Sequence, residues 1–324
     1  MNICLLGYGY WGSNVFRNLQ KFDDITLSIV EPNTENWKKV KDDSVSLYFG
    51  IDEILSNPYL KKIEGAIICT SVSTHFELSK KLLQNKINVL CQKPLVETVA
   101  QAEELTEIAK ENGVKLMTAF TYVYNQGIRK ISQLFPEIGK KYYYDSTRIN
   151  LGIIQRDTNV FWDLFVHDAA ILYYLTYKLP KFISAVGACH NENEFIDVAN
   201  VSLGYEDGFS AHCHVNWISP IKNRTIIFGG ENKMVTFDDC SSEKIKIYDT
   251  GFSKRGGVFD YRTGDIVIPK IDNTEAIELE LNHFFGCIKY GMEPLTNGEF
   301  SINVLKMVEA ANQSAKENGQ PVYL

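Results

Sequence analysis

Short apolar runs alternate with amphipathic stretches along the first part of the chain. The runs predict strands, and the stretches between them repeat their apolar positions with the period of a helix. Predicted strands cover residues 2–6, 25–30, 46–50, 65–70, 87–91 and 114–120, and predicted helices cover 13–22, 51–55, 76–84 and 99–112. Strands that are apolar throughout and separated by helices are typical of a parallel sheet covered on both faces. The pattern therefore predicts a doubly wound α/β fold.

The pattern changes further along the chain. A helix at 127–135, an alternating strand at 142–151 and an apolar stretch at 161–172 lead into a series of strands at 182–189, 198–205, 209–217, 225–229 and 233–238. Residues 217–224 read as an irregular crossing between strands, and the polar segment 241–267 as an extended excursion on the sheet. Helices are predicted at 274–290 and 301–316. This half is expected to be α+β, with a large, mainly antiparallel sheet that helices cover on one face.

The turn after the first strand carries the clearest motif. Residues 7–12 read Gly-Tyr-Gly-Tyr-Trp-Gly, a G-x-G-x-x-G pattern between a strand and a helix. Gly7 allows a tight turn, Gly9 lets a pyrophosphate approach the backbone, and Gly12 lets the helix pack on the strand. Free N–H groups at the helix start attract phosphate. We expect this turn, with Tyr10 and Trp11 between the glycines, to bind a dinucleotide.

Glu31 stands at the end of the second strand, about 20 residues after the glycines, where an acidic residue binds the adenosine ribose of NAD. Its carboxylate would repel the 2′-phosphate of NADP. The sequence therefore favours NAD(H) over NADP(H). The alternative interpretation of Glu31 is a solvated loop carboxylate.

Length, composition and charge indicate the number of domains and argue against several classes of partner. A chain of 324 residues is long for one domain and suits two. The net charge of −7 disfavours nucleic acids and anionic membranes as partners, and no apolar run is long enough to span a bilayer. Met1 leads directly into the first strand, so we expect no signal peptide. The seven scattered cysteines indicate reduced thiols in a cytoplasmic protein.

No metal site is expected. His212 and His214 share one face of a predicted strand, but further ligands are absent from the neighbouring sequence.

Two later strands end in polar residues that suit a ligand crevice. Thr70 ends the fourth strand and Ser71 follows it. His75, shortly after, is interpreted either as a cofactor contact or as a capping or packing histidine. The next strand ends in Gln92 and Lys93. The following proline restricts Lys93 to extended backbone, which directs its ammonium group away from the strand end.

These features occur in an order that resembles the Gfo/Idh/MocA oxidoreductases, the family of glucose-fructose oxidoreductase and inositol dehydrogenase. The family motif is Glu-Lys-Pro, and its lysine reaches the nicotinamide and the reacting carbon. Lys93 matches that lysine, whereas Gln92 replaces the glutamate. The resemblance implies an NAD-binding domain at 1–120 and a substrate-binding domain at 121–324. It also implies a homodimer or homotetramer formed through the open sheet face.

A second motif lies in the stretch 161–172. In a helix, Asp163 and His167 lie at i and i+4 on one face, where a carboxylate can orient an imidazole and stabilise its protonated form. Such a pair is also common on helix surfaces. In the family an Asp-x-x-x-His-Asp helix faces the nicotinamide across the substrate, which implies catalytic roles for His167 and Asp163. Asp168 is expected to be structural.

The predicted substrate residues are Tyr122, Asn125, His167, Arg148 and Arg156, the two arginines serving an anionic group. The expected reaction is hydride transfer between nicotinamide and a secondary alcohol or ketone of a sugar. The Trp-Asp-x-x-x-His-Asp helix and the segment 217–224 look most like family members that act on nucleotide-linked sugars, with Lys222 and Arg224 as further cations. The alternatives are a free polyol or inositol dehydrogenase and a non-catalytic NAD-binding sensor.

Overall fold

A computed structural model describes residues 1–60, 62–152, 158–192, 195–255 and 257–324. The chain forms two compact units. The first comprises Met1–Thr121 and Glu275–Ile302, and the second comprises Tyr122–Thr274 and Asn303–Leu324. The division after Thr121 lies beside the expected boundary. The segment Glu275–Ile302, however, groups with the first unit, whereas the sequence assigned it to the second domain.

The first unit is built on a six-stranded parallel sheet in the order β3-β2-β1-β4-β5-β6. Its strands are β1 (Asn2–Leu6), β2 (Thr26–Val30), β3 (Ser46–Tyr48), β4 (Gly65–Ile68), β5 (Asn88–Gln92) and β6 (Leu116–Ala119). The order reverses between β1 and β4, and such a reversal opens a ligand crevice at the carboxyl ends of the strands. The predicted doubly wound parallel sheet is confirmed.

The helices of this unit are α1 (Tyr10–Leu19), α2 (Thr34–Trp37), α3 (Ile51–Leu55), α4 (Val72–Gln84), α5 (Val99–Asn112) and α8 (Ala276–Tyr290). Helix α1 begins three residues before the predicted start at 13, since the glycine turn leads straight into it. Tyr10 and Trp11 therefore belong to its exposed first turn.

Helix α8 packs on the sheet although it is distant in sequence. A Cβ atom added at Gly65, the first residue of β4, would lie 2.9 Å from Ile288 and 3.2 Å from Phe284, in the second half of the helix. At the other end Glu275 accepts two hydrogen bonds of 2.8 Å from Arg17 of α1. The absence of a side chain at Gly65 thus lets this late segment join the first unit.

The second unit is built on a nine-stranded sheet in the order β14-β13-β12-β11-β7-β10-β9-β8-β15. Its strands are β7 (Lys141–Leu151), β8 (Phe182–Ala188), β9 (Val198–Gly204), β10 (Ser210–Asn216), β11 (Ile218–Gly230), β12 (Met234–Asp238), β13 (Ile245–Arg255), β14 (Val258–Val267) and β15 (Val322–Tyr323). Only the β7–β10 pair among these is parallel. The predicted mainly antiparallel sheet is confirmed.

The sheet has one buried and one more exposed face. Tyr144, Ser146 and Arg148 alternate along β7 as buried residues. On the other face His212 and His214 hydrogen-bond Ser202 and Asn200. No group of three potential metal ligands occurs among the residues that the structure describes.

The remaining helices are α6 (Gln126–Leu134), α7 (Val166–Thr176) and α9 (Gly298–Lys316), with a 3₁₀ turn at Thr121–Tyr124 and a π-helical turn at Phe161–Phe165. Two sequence expectations were wrong here. Residues 241–267 contain the paired strands β13 and β14, and residues 218–224 belong to β11, whose register against β7 shifts between Ile218 and Asn223.

All seven cysteines are free thiols. Within the described ranges, no helix is both long and apolar enough to cross a membrane.

Candidate functional site

The glycine turn has the shape that a dinucleotide requires. Gly7 has φ +90°, which a side chain would strain, and a Cβ atom on Gly12 would lie only 2.0 Å from the carbonyl oxygen of Gly7. By contrast, a Cβ atom on Gly9 would meet nothing within 4 Å. The first and third glycines thus serve backbone packing, and the second borders open space at the start of α1. A pyrophosphate fits that space, next to the free N–H groups of the first helical turn.

Glu31 lies at the end of β2 beside this turn. Its side chain accepts hydrogen bonds from the backbone N–H groups of Tyr8 at 2.7 Å and Asn33 at 2.8 Å. The residue is 7% exposed. Each carboxylate oxygen has a second lone pair, so the group can hold the glycine turn and still accept a hydrogen bond from a ribose hydroxyl.

A cleft with a volume of about 770 Å³ opens next to Glu31. Residues from β1, β2, α3 and α4 and from the turns after β2, β3 and β4 line it, among them Val30, Pro32, Ile51, Thr70 and Thr74. Its apolar walls and its place at the carboxyl ends of the strands suit the adenosine half of the cofactor.

Replacing Glu31 with alanine is expected to weaken NAD⁺ binding by about tenfold or more, since hydrogen bonds to a charged group contribute about 1.5–3 kcal/mol. NADP⁺ should lose less, because the repulsion of its 2′-phosphate disappears as well. Titrations of both cofactors by tryptophan fluorescence would measure this. Glu35→Ala, at an exposed glutamate paired with Lys38, is the control. Equal losses of affinity for NAD⁺ and NADP⁺ would show that Glu31 does not contact the ribose.

The end of β4 holds a hydrogen-bonded turn. The hydroxyl groups of Thr70 and Thr74 lie 2.7 Å apart, and Ser71 directly precedes α4. Of the predicted cofactor residues here, Thr70 lines the cleft.

His75 has the position of a packing histidine, one of the two interpretations that the sequence left open. It is 1% exposed, with Nδ1 3.0 Å from the carbonyl oxygen of Pro94 and Nε2 3.1 Å from that of Thr70. Burial lowers the pKa of His75, and this effect exceeds the rise caused by hydrogen bonding to the carbonyl groups. We therefore take the ring as neutral, with one of its nitrogens donating a hydrogen bond at a time. Both nitrogens face backbone, so this geometry favours the packing role over the cofactor contact. His75 instead ties the turn after β4 to the segment after Lys93.

His75→Phe should remove this tie and lower the free energy of unfolding by about 1–3 kcal/mol, because buried carbonyls lose their donor. The folded pKa lies below the ordinary 6.5, so the unfolded chain takes up the proton first as pH falls. The stability that His75 contributes is therefore present above pH 6.5 and declines below it. Urea unfolding between pH 5 and 8 would measure this. A variant that loses as much stability per pH unit as the native chain would contradict the assignment.

Lys93 follows Gln92, the last residue of β5, and its bond to Pro94 is cis. The lysine is half-buried. Gln92 pairs with Ala119 of β6, so Lys93 leaves the sheet at its carboxyl edge, as the sequence predicted.

In the second unit, Asp163 lies in the π-helical turn and His167 in the first turn of α7. The stretch is therefore helical, the condition on which the pairing of Asp163 with His167 depended, but its first part is π-helical and residues four apart remain about one turn apart. Such π-turns are frequent at functional sites. Asp163 accepts a 2.9 Å hydrogen bond from the indole of Trp217, and the His167 ring packs edge-on against Tyr122 with 5.0 Å between centroids. Both Asp163 and His167 are half-buried.

Arg148 and Asp168 form a buried ion pair. Asp168 accepts from Arg148 Nε at 2.8 Å and Nη2 at 3.3 Å, and from the Tyr144 hydroxyl at 3.1 Å. The guanidinium lies 4.2 Å from the centre of the Tyr122 ring. Burial would lower the pKa of Arg148, but the Asp168 carboxylate and the Tyr122 hydroxyl raise it above its ordinary value. Arg148 is thus committed to a structural pair rather than to a substrate anion.

Arg156, the other predicted anion ligand, lies outside the described residues.

Asp239 is a residue that the sequence analysis missed. It accepts hydrogen bonds from the Tyr122 hydroxyl at 3.2 Å, from the Asn125 amide at 3.2 Å and from Lys244 Nζ at 3.0 Å. Arg224 donates to the Tyr122 hydroxyl at 2.8 Å. Burial would raise the pKa of Asp239, but Lys244 lowers it overall, so the group is a carboxylate at neutral pH.

This arrangement gathers two predicted substrate residues, Tyr122 and Asn125, with two cations around one carboxylate. The signal in the sequence was slight, since Asp239 stands in a polar turn after β12.

Comparisons with known proteins agree with these features. Residues 1–120 match the model of the Gfo/Idh/MocA oxidoreductase family, NAD-binding Rossmann fold, and residues 152–235 match a Gfo/Idh/MocA C-terminal domain. The scyllo-inositol 2-dehydrogenase (NAD⁺) of Bacillus subtilis is 27% identical over 310 residues, which cover 88% of this chain and 86% of that enzyme. The myo-inositol 2-dehydrogenase of Thermotoga maritima is 22% identical, with 98% and 97% covered.

Among solved structures, UDP-N-acetylglucosamine 3-dehydrogenase from Acidithiobacillus ferrooxidans superposes with a TM-score of 0.83 at 18% identity, covering 98% of each chain. This similarity shows a shared fold. Together with the glycine turn and the two matched domain models, it identifies the chain as an NAD-binding member of the Gfo/Idh/MocA oxidoreductase family.

Proposed function

We propose that this oxidoreductase interconverts a secondary alcohol and a ketone on the ring of a sugar substrate. The observation that carries the proposal is the hydrogen bond from Trp217 to Asp163, one turn before His167. It holds a carboxylate at the start of the helix that bears the imidazole. A protein that only senses NAD has no need of such a pair.

NAD, when bound, supplies the hydride acceptor or donor. In the oxidation direction, hydride leaves the carbinol carbon and the hydroxyl proton must leave as well. We assign that proton to His167, with Asp163 stabilising the imidazolium. The ammonium group of Lys93 donates a hydrogen bond to the same oxygen and favours its developing negative charge. This assignment is supported by the family resemblance of both motifs and by the geometry within each unit.

The preferred substrate is a nucleotide-linked sugar. Support comes from the hydrogen bond between Trp217 and Asp163. It joins the helix that bears His167 to the segment 217–224, and these two segments resemble family members that act on nucleotide-linked sugars. Lys222 is exposed on β11, and Arg224 and Lys244 share a single carboxylate, so this cluster keeps a net positive charge for a diphosphate. Arg148 is not proposed as a ligand of the diphosphate, because Asp168 neutralises its charge.

A free inositol or polyol is the second candidate. It is favoured by the two inositol dehydrogenases, whose similarity extends over most of this chain. A neutral polyol would need only hydroxyl and carboxylate partners such as Tyr122, Asn125 and Asp239.

These candidates can be separated by following absorbance at 340 nm. The assay uses NAD⁺ and a panel of UDP-sugars, dTDP-sugars, inositols and free sugars. Turnover with one class of nucleotide-linked sugar is the expected result. If this sugar is the substrate, Lys222→Ala should raise KM more than it lowers kcat. Turnover restricted to inositols would select the second candidate. Tight NAD⁺ binding without any turnover would favour a sensor.

We also propose a homodimer or homotetramer that forms through the more exposed face of the nine-stranded sheet. Ile227 is half-exposed there and opposes Thr236 of β12 and Asp145 of β7. Light scattering of the native chain and of Ile227→Asp tests this. An unchanged mass for the variant would place the interface elsewhere.

A further inference from the structure

Glu280 is a buried carboxyl group in the first unit that the proposed reaction does not use. It lies on α8 and is 2% exposed. One oxygen, Oε2, accepts a 3.2 Å hydrogen bond from the hydroxyl of Thr121, whereas the buried Oε1 has no hydrogen-bond partner within the described part of the chain. A buried carboxylate with one vacant oxygen is costly, so a side chain of this kind needs either a proton or a nearby cation.

The surroundings of Glu280 belong to the carboxyl edge of the parallel sheet. Thr121 follows β6, and Cys69 follows β4 and is close enough for the Glu280 charge to raise the pKa of its thiol. The side chain of Gln92, at the end of β5, is close enough to Cys69 to lower the pKa of that thiol. The ends of β4 and β6 therefore lie at this carboxyl group, and the end of β5 lies beside Cys69.

The same edge receives the cofactor. The pyrophosphate site is the start of α1, after β1, and Glu31 marks the adenosine side after β2. The strand order reverses between β1 and β4. A dinucleotide bound across this point, with its adenosine half beside β2, must place its nicotinamide half beyond the ends of β4 and β5. Glu280 belongs to that side.

The groups around Glu280 leave its charge unbalanced. Burial raises its pKa to about 8, and the hydrogen bond from Thr121 only partly opposes this rise. From β4 it faces the Cys69 thiol, whose pKa is raised to about 12, chiefly by burial, so that it stays uncharged. Next to that thiol, at the end of β5, is the neutral amide of Gln92. On α8 itself, Glu275 and Glu278 are paired with Arg17 and Lys21 at the surface.

We infer that Glu280 senses the charge of the bound nicotinamide: it is ionised opposite the cationic ring of NAD⁺ and protonated opposite the neutral ring of NADH. A positive charge several ångströms away, in a setting of low dielectric constant, shifts a carboxyl equilibrium by about one pKa unit. The residue would thus favour NAD⁺ over NADH increasingly as pH rises through neutrality. The inference rests on NAD binding and not on the identity of the substrate.

Dissociation constants of NAD⁺ and NADH, measured by calorimetry between pH 6.5 and 9 without substrate, test the inference. For the native chain we expect NAD⁺ to bind about tenfold tighter at pH 9 than at pH 6.5, and NADH to change by less than about twofold. Glu280→Gln should abolish the difference. Glu278→Gln, on the same helix but in a surface ion pair with Lys21, should behave like the native chain. A pH dependence that survives in Glu280→Gln, or that NADH shares, would overturn the inference.

A second measurement uses only the native chain. At pH 7.5, calorimetry of NAD⁺ binding in two buffers with different ionisation enthalpies should show release of a fraction of a proton. NADH binding should show no release. Equal proton release for the two cofactors would refute the charge-sensing role even if the glutamine variant failed to fold.

Discussion

Lys93→Met is expected to lower kcat by about 10³-fold or more, while the dissociation constant of NAD⁺ changes by less than about threefold. The substitution keeps much of the length of the side chain and removes the charge. Losing one donor that stabilises a developing oxyanion costs about 10²–10³-fold, and losing a proton-transfer group costs about 10²–10⁴-fold. Cofactor affinity should persist, because the glycine turn and Glu31, which we propose to bind the other end of the dinucleotide, are unchanged.

The matched control is Lys110→Met on α5, where the lysine forms an exposed ion pair with Glu299. It should retain native kinetics. Steady-state rates at saturating cofactor, together with NAD⁺ titrations, provide the comparison. If Lys93→Met kept kcat within about threefold of the native value, Lys93 would have no part in the chemistry.

Arg148→Met is expected to lower the free energy of unfolding by about 3–5 kcal/mol, the usual cost of leaving a buried charge without its partner. Among the residues that the structure describes, Asp168 would keep only the hydroxyl of Tyr144 as a donor. The double variant Arg148→Met/Asp168→Asn should recover a substantial part of the loss, since it removes the unpaired charge and keeps an acceptor for Tyr144.

Urea unfolding of the single and double variants measures this coupling. A loss below about 1 kcal/mol in Arg148→Met, or a double variant less stable than the single one, would show that the pair does not stabilise the second unit. In that case Arg148 would again be a candidate for the substrate anion.

The sequence predicted the parallel sheet well because each of its strands is a short apolar run and the helices between them are amphipathic. The glycine motif could be interpreted from local sequence alone, since Gly7 takes a positive φ, Gly12 packs on Gly7, and Gly9 borders open space at the start of α1. The return of α8 to this unit could not be predicted in the same way. It depends on the contact of Ile288 and Phe284 with Gly65, more than 200 positions earlier in the chain.

Single side chains near the site were harder to assign. Arg148 looked available for an anion, because nothing in its local sequence marks Asp168 as its partner. The sequence left His75 open between a cofactor contact and a packing role, because its contacts with Thr70 and Pro94 involve backbone atoms. Asp239 had no motif, since its role arises from contacts with residues more than 100 positions away.

The hairpin of β13 and β14 was taken for an extended excursion because its outer strand, β14, shows no buried face among the described residues. Tyr261 is 79% exposed and Ile266 is 57% exposed, on a hairpin at the edge of the sheet. Alternation of apolar and polar residues appears only where one face of a strand is covered.

The central claim is that Lys93 and His167 act on one oxygen atom of the substrate. A crystal structure with NAD⁺ and the substrate identified by the absorbance screen tests it most directly. We predict that Nζ of Lys93 and a ring nitrogen of His167 both lie about 3 Å from the oxygen of the reacting carbinol. A complex in which either nitrogen contacts a different part of the substrate, or none of it, would contradict the account.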